Sequence, residues 1–87
     1  MTPNEIVSIR KSLGLAQADF ARLFDAHVMT ISKWERGVAV PSPYQVSLME
    51  HFKLKAEQQA VQAQTEVKNL LIGAGVIAAL IWLLSKR

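Results

Sequence analysis

Eighty-seven residues leave room for one small core and an appendage, which argues against a catalytic cleft, and the absence of cysteine excludes a disulfide framework or a thiolate metal site. The net charge of +3 is no argument for a nucleic-acid partner, because it is unevenly placed: five basic and five acidic residues up to Phe52, then five basic against two acidic. The opening MTPNEIVSIR lacks the charged-then-apolar run of a secretory leader, so a cytoplasmic setting is expected.

Thr2-Pro3-Asn4-Glu5 carries a complete helix start: a hydroxyl cap, proline at the first helical position, and a glutamate placed to return the capping bond. A helix to about Ser12 follows, with Ile6, Ile9 and Leu13 as its buried stripe and Gly14 as the left-handed residue that ends it. From Gln17 to Gly37 two short helical patterns are joined by Asp25-Ala26-His27. Phe20, Ala21, Leu23 and Phe24 give the first an inward face, and Ile31 and Trp34 give one to the second. Two helices at a steep angle around so short a turn make the arrangement that inserts a helix into the DNA major groove. Ser42-Pro43-Tyr44-Gln45 repeats the helix-start chemistry, and Val46, Met49 and Phe52 supply the next inward face.

Beyond Phe52 the stretch LKAEQQAVQAQTEVKN has high helix propensity and no Gly or Pro, which predicts a continuation of the fourth helix. Met49, Phe52, Ala56, Ala60, Ala63, Val67 and Leu70 recur at coiled-coil spacing, so residues 53–69 are expected to be a helical linker or a weak coiled coil. Residues 70–84, LLIGAGVIAALIWLL, are uncharged and apolar on every side of a helix, and 85–87 form a basic end. Fifteen residues reach about 22 Å, short of a hydrocarbon core of roughly 30 Å. All-round apolarity, the small pair Gly75 and Ala79, and Lys68, Lys86 and Arg87 as snorkelling flanks nevertheless point to a membrane anchor from Leu70 to Leu84. The rival reading of this segment is an assembly helix that buries itself against copies of itself.

Residues 1–52 resemble the Xre/Cro/CI-type helix-turn-helix regulators of phages and plasmids. The likeness rests on Leu13-Gly14-Leu15, Gln17 opening the second helix, Ala21 at its crossing point, and Ile31-Ser32-Lys33-Trp34-Glu35-Arg36-Gly37. The resemblance implies an all-α, lambda-repressor-like DNA-binding domain whose recognition helix is 28–36. It also implies base contacts from Gln17, Val28, Met29 and Lys33, and a structural ion pair between Arg10 and Glu35. Among these Lys33 can donate to guanine O6 and N7, while Val28 and Met29 offer apolar contact to thymine methyls. Phosphate contacts are expected from Lys11, Thr30, Arg36 and Ser42, which set register without reading sequence. Three residues depart from the family pattern. Ala16 replaces a capping residue, Asp25 a glycine, and His27 the Ser or Thr that usually caps the recognition helix.

No cofactor or metal is expected, since His27 and His51 lie on different helices with no carboxylate at ligand spacing, and Gly14 and Gly37 stand alone as helix stops. The function expected is that of a non-enzymatic, sequence-specific regulator, a repressor binding double-stranded DNA as a homodimer in the cytoplasm. The tail would hold it at the cytoplasmic membrane if it is an anchor. Two alternatives stand beside it: a membrane-attached adaptor that tethers DNA or a protein, and an interaction module that kept the fold and lost DNA.

Overall fold

A computed structural model describes residues 1–85, and its regular structure is six helices: α1 (Pro3–Ser12), α2 (Gln17–Arg22), α3 (Val28–Glu35), α4 (Pro43–Gln58), α5 (Ala60–Gly73) and α6 (Val76–Leu84). The starts of α1 and α4 follow from their capping boxes. The Thr2 hydroxyl accepts from the Glu5 amide and the Glu5 carboxylate accepts from the Thr2 amide, and Ser42 and Gln45 repeat the exchange. Gly14, at φ +69°, and Gly37, at φ +75°, take the left-handed turns that follow α1 and α3.

The stripes expected for α1 to α4 converge on one core, except Val46, which is half-buried and stands outside it. Ile6, Ile9, Leu13, Phe20, Ala21, Ile31, Trp34, Met49 and Phe52 are buried together. Phe24, partly buried against this core, joins three elements, edge-on to Phe20 at 4.9 Å and to Trp34 at 5.5 Å, and tilted on Phe52 at 5.6 Å.

The second half of the chain corrects the expectation of a continuous helix and a membrane anchor. The helix from Pro43 stops at Gln58, and a new one starts at Ala60 after Gln59 leaves helical geometry at φ −137°, ψ 58°. No Gly or Pro marks this break; what favours it is the core that α5 gains by turning back. Ala63, Val67 and Leu71, one turn apart, are buried with the residues of α1 to α4, and α5 crosses directly over Gly14. The seam at heptad spacing is therefore an intrachain stripe in a shifted register, since Ala60 is exposed and Leu71 rather than Leu70 is fully buried.

The apolar run of 70–84 is broken in its turn. The Ala74 and Gly75 amides both close on the Leu70 carbonyl, at 2.8 and 2.7 Å, and Gly75 turns the chain at φ +102°. After it, α6 lies against α5 and α4, burying Ala79 and Leu83 and half-burying Val76, Leu80 and Trp82. Gly75 is thus a turn residue and not half of a helix-packing pair with Ala79. Among the described residues no helix is long and apolar enough to cross a membrane. Lys86 and Arg87, expected as flanks of an anchor, lie outside the described residues.

Two polar contacts fasten this hairpin of α5 and α6 to the rest. Arg22, at the end of α2, donates from Nη2 to the Leu71 carbonyl at 3.4 Å, one of the orphan carbonyls at the end of α5. Lys55, only 2 % exposed, donates from Nζ to Ser85 Oγ at 2.9 Å and stands 4.7 Å from the Trp82 ring centroid. The charge of this buried lysine is met by a hydroxyl and a π-face at the end of α6.

Candidate nucleic-acid interface

The outward helix of the motif is α3, and its sequence gives it two distinct faces. Ile31 and Trp34 are buried, whereas Lys33 is exposed and Met29 is 51 % exposed; Val28, Thr30 and Ser32 sit half-buried on the flanks. The helix ends at Glu35, so Arg36 is its C-cap rather than its last turn. From there the Arg36 guanidinium donates from Nε to Ser32 Oγ at 3.2 Å and to the Ser32 carbonyl at 3.3 Å, which holds it along the helix it follows.

Although His27 departs from the usual capping residues, it caps α3. Its Nδ1 accepts from the Met29 amide at 3.0 Å, doing with a ring nitrogen what a hydroxyl oxygen would do. Asp25 supplies the left-handed turn before it at φ +50° in place of the glycine, and Ala16 leaves α2 without a side-chain cap. His27→Ala is expected to cost about 1 kcal/mol in urea unfolding, with His27→Ser recovering most of it.

Behind α3, three of the singled-out residues meet in one cluster. Arg10 donates from Nε to Glu35 Oε2 at 2.6 Å and from Nη2 to Oε1 at 3.1 Å, and its Nη1 reaches the Leu15 carbonyl at 2.9 Å. Gln17 Nε2 donates to the same Glu35 Oε1 at 2.9 Å, so its amide is anchored inside the motif while its place at the start of α2 keeps it beside α3. Burial pushes the Glu35 carboxyl up, but the hydrogen bonds from Arg10 and then Gln17, with the charges of Arg10 and Lys11, outweigh it and hold the group below the ordinary carboxylate range. Forked pairing of this kind fixes the end of α3 against α1.

Of the residues expected at phosphates, Lys11 and Ser42 are exposed and Thr30 is half-buried. The Ser42 oxygen is already the cap of α4, accepting from the Gln45 amide at 3.2 Å, and its hydroxyl proton remains a donor. Two residues that sequence reasoning did not single out also stand out beyond α3: Val38 and Val40 are exposed in the loop to α4. The only signal for them is the lack of any polar residue in Gly37-Val38-Ala39-Val40-Pro41. Among the described residues no group of three or more His, Asp or Glu is placed to hold a metal ion.

A family model described as helix-turn-helix matches residues 6–52. The chain belongs to the helix-turn-helix family. Such domains are DNA-binding modules rather than enzymes, and the matched span runs from α1 into α4 and stops before the hairpin of α5 and α6. This helix-turn-helix chain is also 39 % identical over 49 residues to antitoxin HigA-2 of Vibrio cholerae serotype O1, an alignment covering 56 % of this chain and 47 % of that protein. The chain thus spans about half the length of the curated relative it matches. No solved structure matches it.

Proposed function

We propose that this helix-turn-helix chain is a sequence-specific transcriptional regulator, a repressor that reads the major groove with α3 as a dimer and excludes polymerase from the site it covers. The observation that carries the reading is the outward face of the capped α3, where Met29 and Lys33 stand exposed while Ile31 and Trp34 hold the helix on the core. Lys33 is the reading cation and Val28 and Met29 the apolar readers. Gln17 works through Glu35 as much as toward DNA, and Lys11, Thr30, Arg36 and Ser42 serve the backbone. Such a protein acts in the cytoplasm, where the DNA is.

Selection of bound sequences from random duplex DNA with the full chain tests this, and an enriched palindrome is the expected result. At the selected site Lys33→Ala should cost about 1 to 3 kcal/mol and relax one base position, whereas Arg36→Ala should weaken all sequences alike. Absence of enrichment at low salt would leave an interaction module without DNA. The likeness to HigA-2 supports a second role, as an antitoxin. Rescue of growth when the chain is produced together with a growth-arresting toxin is the measurement for that role.

A further inference from the structure

Among the described residues Lys55 is the charged side chain drawn fully into the interior, and neither of its contacts is an anion. Its Nζ donates to Ser85 Oγ and faces the Trp82 ring, which leaves at least one of three ammonium protons without an acceptor among the described residues. A buried cation ordinarily stands beside a carboxylate, because burial strips away its hydration. Here no ion pair joins Lys55 to one among the described residues. The acids of α4, Glu50 and Glu57, share a different groove with Lys53, and residues 67–87 contain no Asp or Glu. Lys55 instead lines a groove of about 310 Å³ between α4 and the end of α6. His51 and Gln58 join it from the same face of α4, at steps of four and three residues, and Leu54, Leu83 and Leu84 give the groove apolar sides.

We infer that this groove is a binding site for a small apolar acid, whose carboxylate pairs with Lys55 while its hydrocarbon lies along Leu54, Leu83 and Leu84. The chemistry of the lining sets the class of ligand. One buried ammonium among apolar walls suits a single negative charge on an apolar body, whereas a phosphate or a nucleotide would need several converging donors. The size agrees, since the groove is at the small end of the roughly 300–1,000 Å³ that ligand pockets span. Access to the ammonium runs past the Ser85 hydroxyl, at the exposed C-cap of α6, and the carboxylate oxygen takes the place of that hydroxyl at Nζ. A charge-assisted bond thereby replaces a bond to a neutral acceptor. The inference is independent of the reading of DNA, because the groove shares no residue with α3.

Calorimetric titration of the full chain with octanoate is the test, with octan-1-ol as the uncharged control. One octanoate per chain is expected, with a Kd on the order of 100 µM, and octanol should bind at least about tenfold more weakly. The melting temperature should rise with octanoate and less with octanol. Lys55→Met keeps the apolar stem and removes the charge. It should fold, because a hydrocarbon in place of a buried cation is often tolerated, and it should bind octanoate no better than octanol. Lys53→Met, which removes an exposed cation from the neighbouring groove, should bind as the wild type does. Leu84→Glu places an anion at an exposed position of the wall and should weaken octanoate about tenfold or more while changing octanol far less. A wild type that takes up no octanoate at millimolar concentration, octanol bound as tightly as octanoate, or undiminished octanoate binding by a folded Lys55→Met would each overturn the inference. Equal loss in Lys53→Met would overturn it too, as a general effect of net charge. Should Lys55→Met fail to fold, Leu84→Glu decides, and unchanged octanoate binding there overturns the site.

Discussion

Replacing Arg10 by Met is expected to destabilise the chain by about 3 kcal/mol in urea unfolding, because it strands the Glu35 carboxylate, already largely withdrawn from water, and leaves the Leu15 carbonyl without its partner. An exposed ion pair would lose no more than about 1 kcal/mol. Changing both partners, Arg10→Met with Glu35→Leu, should recover part of the loss, since it removes the stranded charge. Equal losses in the single and double variants would show that the pair is not coupled. The same cluster gives stability an acid limit. Glu35 in the folded chain titrates below its ordinary 4.5, so its contribution is complete above that value and disappears as pH falls through the lower, folded value. In Glu35→Gln that component of the acid transition should be missing.

Gly14→Ala should cost about 3 kcal/mol or more, for two reasons that can be separated. The residue sits at φ +69°, and a Cβ there would lie 2.8 Å from the Gln64 carbonyl oxygen of α5, a backbone atom that cannot step aside alone. Gly37 controls for the first reason. It has a similar φ of +75°, but its Cβ would meet only Pro3 Cγ at an ordinary 3.5 Å. Asparagine tolerates the left-handed region, so Gly37→Asn should be nearly neutral and Gly14→Asn should still lose most of what Gly14→Ala loses. Similar losses at both positions would mean that α5 does not press on Gly14.

How much of this was legible depended on whether the signal was local. The capping boxes at Thr2 and Ser42, the glycine stops and the stripes of α1 to α4 are written within a few residues of where they act, and the motif of residues 17–37 followed from them. His27 was harder to read because a ring nitrogen is an unusual cap, although its place before α3 was right. The end of α4 at Gln58 has no local signal at all, being set by what Ala63, Val67 and Leu71 bury once the chain reverses. The turn at Gly75 did have one. Two glycines in the apolar run are helix stops, but all-round apolarity suggested a span instead. That inference assumed every face of the helix needs cover, whereas α6 buries Ala79 and Leu83 and leaves Ile77 and Ile81 in water. Of the interface, the face of α3 was readable from periodicity, while the tie from Gln17 to Glu35 crosses eighteen residues and needed the fold.

The bond from Arg22 to the Leu71 carbonyl means that the segment shared with other helix-turn-helix proteins and the segment that folds are not the same length. The shared part ends at Phe52, yet its second helix closes the end of a helix far beyond it, and one core runs from Ile6 to Leu83. Inheritance and cooperativity therefore have different boundaries here. A chain trimmed to the inherited part would lose both the α5 backbone that crosses Gly14 and the carbonyl that Arg22 reaches, so sequence drift in α5 or α6 reaches α2 and α3 through the core they share, without touching the outward face of α3.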